Sequence, residues 1–170
     1  MSELQFEICI DSVAGAMTAQ EGGADRVELC QALSVGGTTP SAAMIQRVRA
    51  VCDLGLHVLI RPRGGDFVFS TQEWQVMARD IELAGEWSAD GVVIGGLKAD
   101  GTIDVERCAR LIEAAGPMSV TFHRAFDLCV DPVAGLDQLV ELGVDRVLTS
   151  GQAASAHEGR MLLRQLVDGA

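Results

Sequence analysis

The sequence predicts an α/β protein: a partial TIM-like (β/α) barrel with about six of the eight βα units, formed as one domain over residues 1–170. Three observations predict it. Short apolar runs alternate with amphipathic stretches along the whole chain, the pattern of a parallel sheet covered by helices. Gly23-Ala24-Asp25-Arg26-Val27 recurs as Ser88-Ala89-Asp90-Gly91-Val92 and as Gly143-Val144-Asp145-Arg146-Val147, at spacings that suit pairs of βα units of roughly 30 residues. Polar, chemistry-bearing residues stand at the end of nearly every apolar run, where a barrel carries its active site.

The elements follow in order. Residues 6–10 form the first strand, with Phe6, Ile8 and Ile10 on the side facing the helices and Glu7, Cys9 and Asp11 on the other. A helix over 12–21 leads to a second strand at 26–29, where Val27 and Leu29 alternate with Glu28 and then Cys30. Pro40-Ser41 starts a helix over 41–52, and a third strand spans 57–60. Ser70-Thr71-Gln72-Glu73 has the form of a capping box and opens a helix over 70–87. A strand at 91–94, a helix at 105–115 and a strand at 119–122 come next. Asp131-Pro132 offers an N-cap and a first-turn proline to a helix over 132–142. The last unit is a strand at 146–148 and a helix at 155–167. Six such units also fit a doubly wound sheet, which length alone favours; the chemistry at the strand ends favours the barrel.

With 24 acidic against 13 basic residues, the net charge of -11 argues against nucleic acid or an anionic membrane as partner. The N-terminus lacks a basic region followed by an apolar run, and no apolar stretch is long enough for a bilayer, so a cytoplasmic location is expected. The five cysteines, odd in number and widely spaced, read as reduced thiols. Lys98, the only lysine, lies in a glycine-flanked loop, which argues against Schiff-base chemistry.

Strand parity sends Glu7, Cys9, Glu28 and Cys30 toward the barrel interior. Arg61 and Arg63 follow the third strand, His123 ends the fifth, and Ser150 is the repeat equivalent of Cys30 on the sixth. Inward charges need partners, and Arg61 is the expected one for Glu7 or Glu28. Cys9 and Cys30 read as a metal or redox pair, or as small hydrophobes. His123 reads as a general acid or base, or as a packed histidine; Arg124 and Asp127 place a charge pair beside it. The run from Arg61 to Phe67, with Arg63 and Asp66, reads as an anion-facing loop or as a tight turn closed by its own ion pair. The run from Ser34 to Pro40 reads as a lid or an ordinary connection. His57 and His157 are expected at the surface.

These stretches together resemble the CutC copper-homeostasis family. The matching runs are Glu7 to Ser12, Gly22 to Cys30, Gly36 to Ser41, Ile60 to Phe67, Val120 to Asp127 and Val147 to Gly151. The resemblance implies a TIM barrel, cytoplasmic residence and copper handling, with Cys9 and Cys30 as the thiols that would hold Cu(I). Family members continue through a seventh and an eighth strand, whereas this sequence ends at Ala170, so strands one and six are expected as open edges, and the chain is expected either to be a fragment or to need a partner chain, such as a second copy, to cover them. Copper homeostasis is the expected function. The alternative is an isomerase or lyase acting on a small anionic metabolite, with Glu7, Glu28, His123 and Asp127 as catalytic groups and Arg61, Arg63, Asp66, Arg124 and Ser150 as ligand-binding groups. A chain without activity of its own is the third possibility.

Overall fold

The computed structural model describes residues 4–169; residues 1–3 and 170, which the single-domain expectation includes, lie outside the described residues. Six strands, β1 (Glu7–Ile10), β2 (Arg26–Leu29), β3 (Gly55–Leu59), β4 (Gly91–Ile94), β5 (Ser119–Phe122) and β6 (Arg146–Val147), alternate with helices α1 (Val13–Glu21), α2 (Ala42–Arg49), α3 (Thr71–Glu86), α4 (Val105–Ala115), α5 (Pro132–Glu141) and α6 (Arg160–Gly169). The strands pair in parallel and in sequence order, β1 through β6. That order decides between the two architectures. A doubly wound sheet reverses its order at a switch point, whereas a (β/α) barrel adds each strand beside the last. The molecule is therefore a partial barrel, with β1 and β6 as its two edges among the described residues.

Alternation along the strands separates two environments. Val27, Leu29, Leu56, Val58, Ile60, Val92, Ile94, Val120 and Phe122 face outward and pack under the helices in the main core. Cys30, Leu59 and Val93 form a second, small cluster on the concave face. At the β1 edge the outward row is less covered, with Phe6 and Ile8 both exposed.

The helix starts follow local chemistry. Ser12 and Ser41 accept from the backbone N–H three residues on, and Asp131 does so for Val133 and Ala134 ahead of Pro132. Ser70 and Glu73 complete a reciprocal capping box at α3. Ser70→Ala is expected to lower stability by about 1 kcal/mol, read as a shift in urea midpoint at unchanged slope.

Of the boundaries that differ from expectation, three change where a side chain or a turn lies. β3 begins at Gly55, two residues earlier than expected, so His57 lies inside a strand; it is buried, not at the surface. α2 ends at Arg49, which leaves Cys52 in the following turn, where its carbonyl accepts from the Arg49 guanidinium. α6 begins at Arg160 instead of residue 155, because Gly159 packs directly on Ser150 and Gly151 and fixes the preceding segment as turns.

Candidate functional site

Adjacent parallel strands bring Cys9, Glu28 and Cys30 together on the concave face. Cys9 pairs in register with Glu28, and Cys30 follows two residues later, on the same side. The two sulfurs lie 3.5 Å apart, and a carboxylate oxygen of Glu28 lies 3.7 Å from Cys30 Sγ. One ligand atom from each of the three residues falls within 4.8 Å of the others. Both cysteines are free, Cys9 exposed and Cys30 buried. The hydrogen bond from Cys30 favours the Cys9 thiolate, so the Cys9 pKa falls. The same bond, together with burial and the Glu28 charge, holds Cys30 protonated. Burial first, and then the Glu7 charge, push the Glu28 carboxyl up to about 7.

This spacing suits a shared ion better than a disulfide. Strands about 4.8 Å apart, with a diagonal offset of two residues at about 3.3 Å each, set the two Cα atoms about 8 Å apart, beyond the roughly 4.4–6.8 Å of disulfides. A metal–thiolate bond of about 2.3 Å places two sulfurs about 3.8 Å apart when tetrahedral and about 4.6 Å when linear. A small opening of the 3.5 Å pair reaches that range. Two thiolates form a soft donor set of the kind that selects Cu(I), and the carboxylate adds a harder third group.

The raised Glu28 value has a consequence for stability. A folded-state value of about 7 against 4.5 gives a contribution fully present below about pH 4.5 and lost as the pH rises through 7. The stability of wild type relative to Glu28→Gln is therefore expected to fall across that window by up to about 3 kcal/mol, measured by urea denaturation at stepped pH.

The other expected residues divide by layer. Glu7 lies one inward position below Cys9, nearer the N-terminal end of the strands, and pairs with Arg26. Glu7, expected among the catalytic groups, thus stands one inward position from Cys9, bonded to Arg26, with its charge still felt at Glu28. His57 pairs in register with Glu28 on the inward face; burial first, and then the Arg26 charge, push its pKa down to about 4. Sequence reading missed Arg26, although its position two residues before Glu28 puts it on the inward face.

Arg61 does not pair with Glu7 or Glu28. Its guanidinium donates to the carbonyls of Val35 (3.0 Å), Gly37 (2.9 Å) and Gly65 (2.7 Å) and lies 4.7 Å from the Phe67 ring centre. The first two bonds pin the 34–40 segment, whose Thr38 also forms an antiparallel bridge with Gln31. Arg63 is held by Asp66 and Glu73, so that turn closes on its own ion pairs. His123 is buried at the end of β5, where Nδ1 accepts from the Ala125 N–H. Burial first, and then the Arg61 charge, push its pKa down to about 3, which keeps the imidazole neutral. Asp127 accepts from Thr149 Oγ1, the N–H groups of Ser150 and Gln152, and Arg124 Nε, while Ser150 accepts from Arg124 and donates to the Ala153 carbonyl. These donors outweigh burial and hold Asp127 below the usual carboxylate range. A cavity of about 510 Å³ opens over the thiol pair, lined by Cys9, Glu28, Cys30, Arg61, Phe67 and Arg124 among others. Lys98 is exposed, on a loop at the end of β4.

Similarity to known proteins bears on this arrangement. A family model for the CutC family matches residues 4–170. A CutC family protein of Histophilus somni is 52% identical over 96% of this chain, which spans 68% of that protein. A copper homeostasis protein cutC homolog of Homo sapiens is 51% identical, and the chain spans 60% of it. A crystal structure of CutC from Streptococcus agalactiae superposes with a TM-score of 0.92 at 34% identity, covering 98% of this chain and 83% of that one.

Proposed function

Because this chain belongs to the CutC family, we propose that it serves copper homeostasis by taking Cu(I) as cargo on Cys9 and Cys30 in the reducing cytoplasm. No helix among the described residues is long and apolar enough to cross a membrane. The observation that supports the reading is the thiol pair, 3.5 Å apart at the ends of β1 and β2 with Glu28 beside it. The diagonal offset keeps the thiols available to metal, since closing a disulfide would require the strands to move. Cys9, the exposed thiol, meets the incoming ion first, and the buried Cys30 completes the pair of sulfur ligands. Thiolate coordination displaces the thiol protons, so uptake releases protons. Glu28, with its value near 7, is placed to receive the Cys30 proton.

The copper homeostasis name carried by the human homologue supports the same direction. The isomerase or lyase reading is not favoured: His123 is buried and neutral, and the Asp127 carboxylate is saturated with donors. Anaerobic titration of the protein against a chromogenic Cu(I) chelator tests the proposal. One equivalent of Cu(I) withdrawn from the chelator is the expected result; a chelator that keeps all its copper overturns it.

A further inference from the structure

The Cu(I) reading leaves unexplained a buried cation beside the thiol pair. Arg61 is 4% exposed and forms no ion pair with a carboxylate among the described residues. Its three hydrogen bonds go to neutral carbonyls. A guanidinium has five N–H donors, so two remain among the described residues, and the Nε–H is one of them, buried without a partner there. A buried charge left unneutralised is costly, and a small anion is the simplest group that removes that cost.

A second orphan donor lies close by, on another strand. His123 accepts from the Ala125 N–H through Nδ1, so in the neutral ring the proton sits on Nε2, which is also buried and, among the described residues, unpartnered. Extending the register of β3, β4 and β5 puts Gly95 between Arg61 and His123. Gly95 supplies no side chain, and a Cβ there would lie 2.5 Å from the His123 ring, so the imidazole leans over that gap. Phe67 covers both groups: its ring centre is 4.9 Å from that of His123 and 4.7 Å from the Arg61 guanidinium carbon. It is carried on the Gly64-Gly65 segment at the wall of the 510 Å³ cavity.

We propose that Arg61 and His123 form an oxyanion-binding subsite at the top of the partial barrel, covered by Phe67, that takes a small carboxylate- or phosphate-bearing molecule beside the thiol pair. The Arg61 Nε–H and the His123 Nε2–H supply two unpartnered donors from strands two apart, both under Phe67, and the guanidinium supplies the charge. Displacement of the Phe67 ring on its glycine-containing loop admits the ligand. The subsite uses neither cysteine.

Isothermal titration with malonate and, separately, with inorganic phosphate tests the proposal on the Cys9→Ser/Cys30→Ser protein, with chloride at matched ionic strength as control. That double variant lacks the thiols, so the outcome is independent of the copper reading. Saturable binding of one of the two probes is expected, weakened about tenfold or more by Arg61→Gln and by His123→Phe and strengthened by Phe67→Ala. The more responsive probe identifies the anion class. Absence of saturable binding by both probes overturns the proposal, as does binding that both donor variants leave unchanged. If loss of its loop contacts unfolds Arg61→Gln, His123→Phe and Phe67→Ala decide alone: unchanged affinity in both overturns it.

Discussion

Cys9→Ser and Cys30→Ser are each expected to weaken Cu(I) binding at least about 100-fold. Loss of groups that merely orient metal ligands already reduces affinity 10–100-fold, and loss of a direct thiolate exceeds that. Serine keeps the volume and removes the soft donor, so the effect is chemical and not steric. The two variants should differ in stability. Cys9 is exposed and its replacement is near neutral, whereas Cys30 lies 1% exposed against Leu59 and Val93, so a serine hydroxyl there is expected to cost about 1–2 kcal/mol. Cys108→Ala provides the control. Cys108 is buried inside α4, away from the concave face, and its loss should leave Cu(I) affinity unchanged. Chelator competition on the three variants, with melting curves beside it, reads all of these expectations.

Gly91→Ala is expected to be the most damaging single methyl addition in the sheet, at about 3 kcal/mol. Gly91 begins β4 and faces inward, where the His57 ring crosses over it. A Cβ would meet that ring at 2.6 Å and the Ser119 carbonyl oxygen at 2.8 Å. The ring belongs to a side chain and could turn, but His57 is 3% exposed and has nowhere to go. The carbonyl belongs to β5, the strand paired with β4, so relief there distorts the ladder. The urea midpoint measures the effect. A loss under about 1 kcal/mol would mean that the space around His57 is loosely packed, against the close packing expected of protein interiors.

What the sequence made legible was set by rules of short range. Two-residue alternation placed Cys9, Glu28 and Cys30 on one face, since parity within a strand does not depend on the rest of the fold. The capping box at Ser70 and the Asp131-Pro132 start are also local, and both formed as expected. Errors arose where the partner is distant in sequence. Arg61 was expected to neutralise a glutamate, but the 34–40 loop presents carbonyls to it first, a choice fixed by tertiary packing. Glu7 found Arg26 because register, which a single strand does not reveal, sets the two side by side. His57 was read as a surface residue because Gly55, a weak strand former, hid the true start of β3. Phe67 was visible as part of a loop, but its cover over Arg61 and His123 arises only from packing.

The measurement that tests the Cu(I) reading most directly is X-ray absorption at the copper edge of the Cu(I)-loaded wild-type protein. The expected result is an edge typical of Cu(I) with two sulfur scatterers near the ~2.3 Å of metal–thiolate bonds, both lost in the Cys9→Ser/Cys30→Ser protein. Scattering from nitrogen or oxygen alone, or a sulfur shell that persists without Cys9 and Cys30, would contradict it.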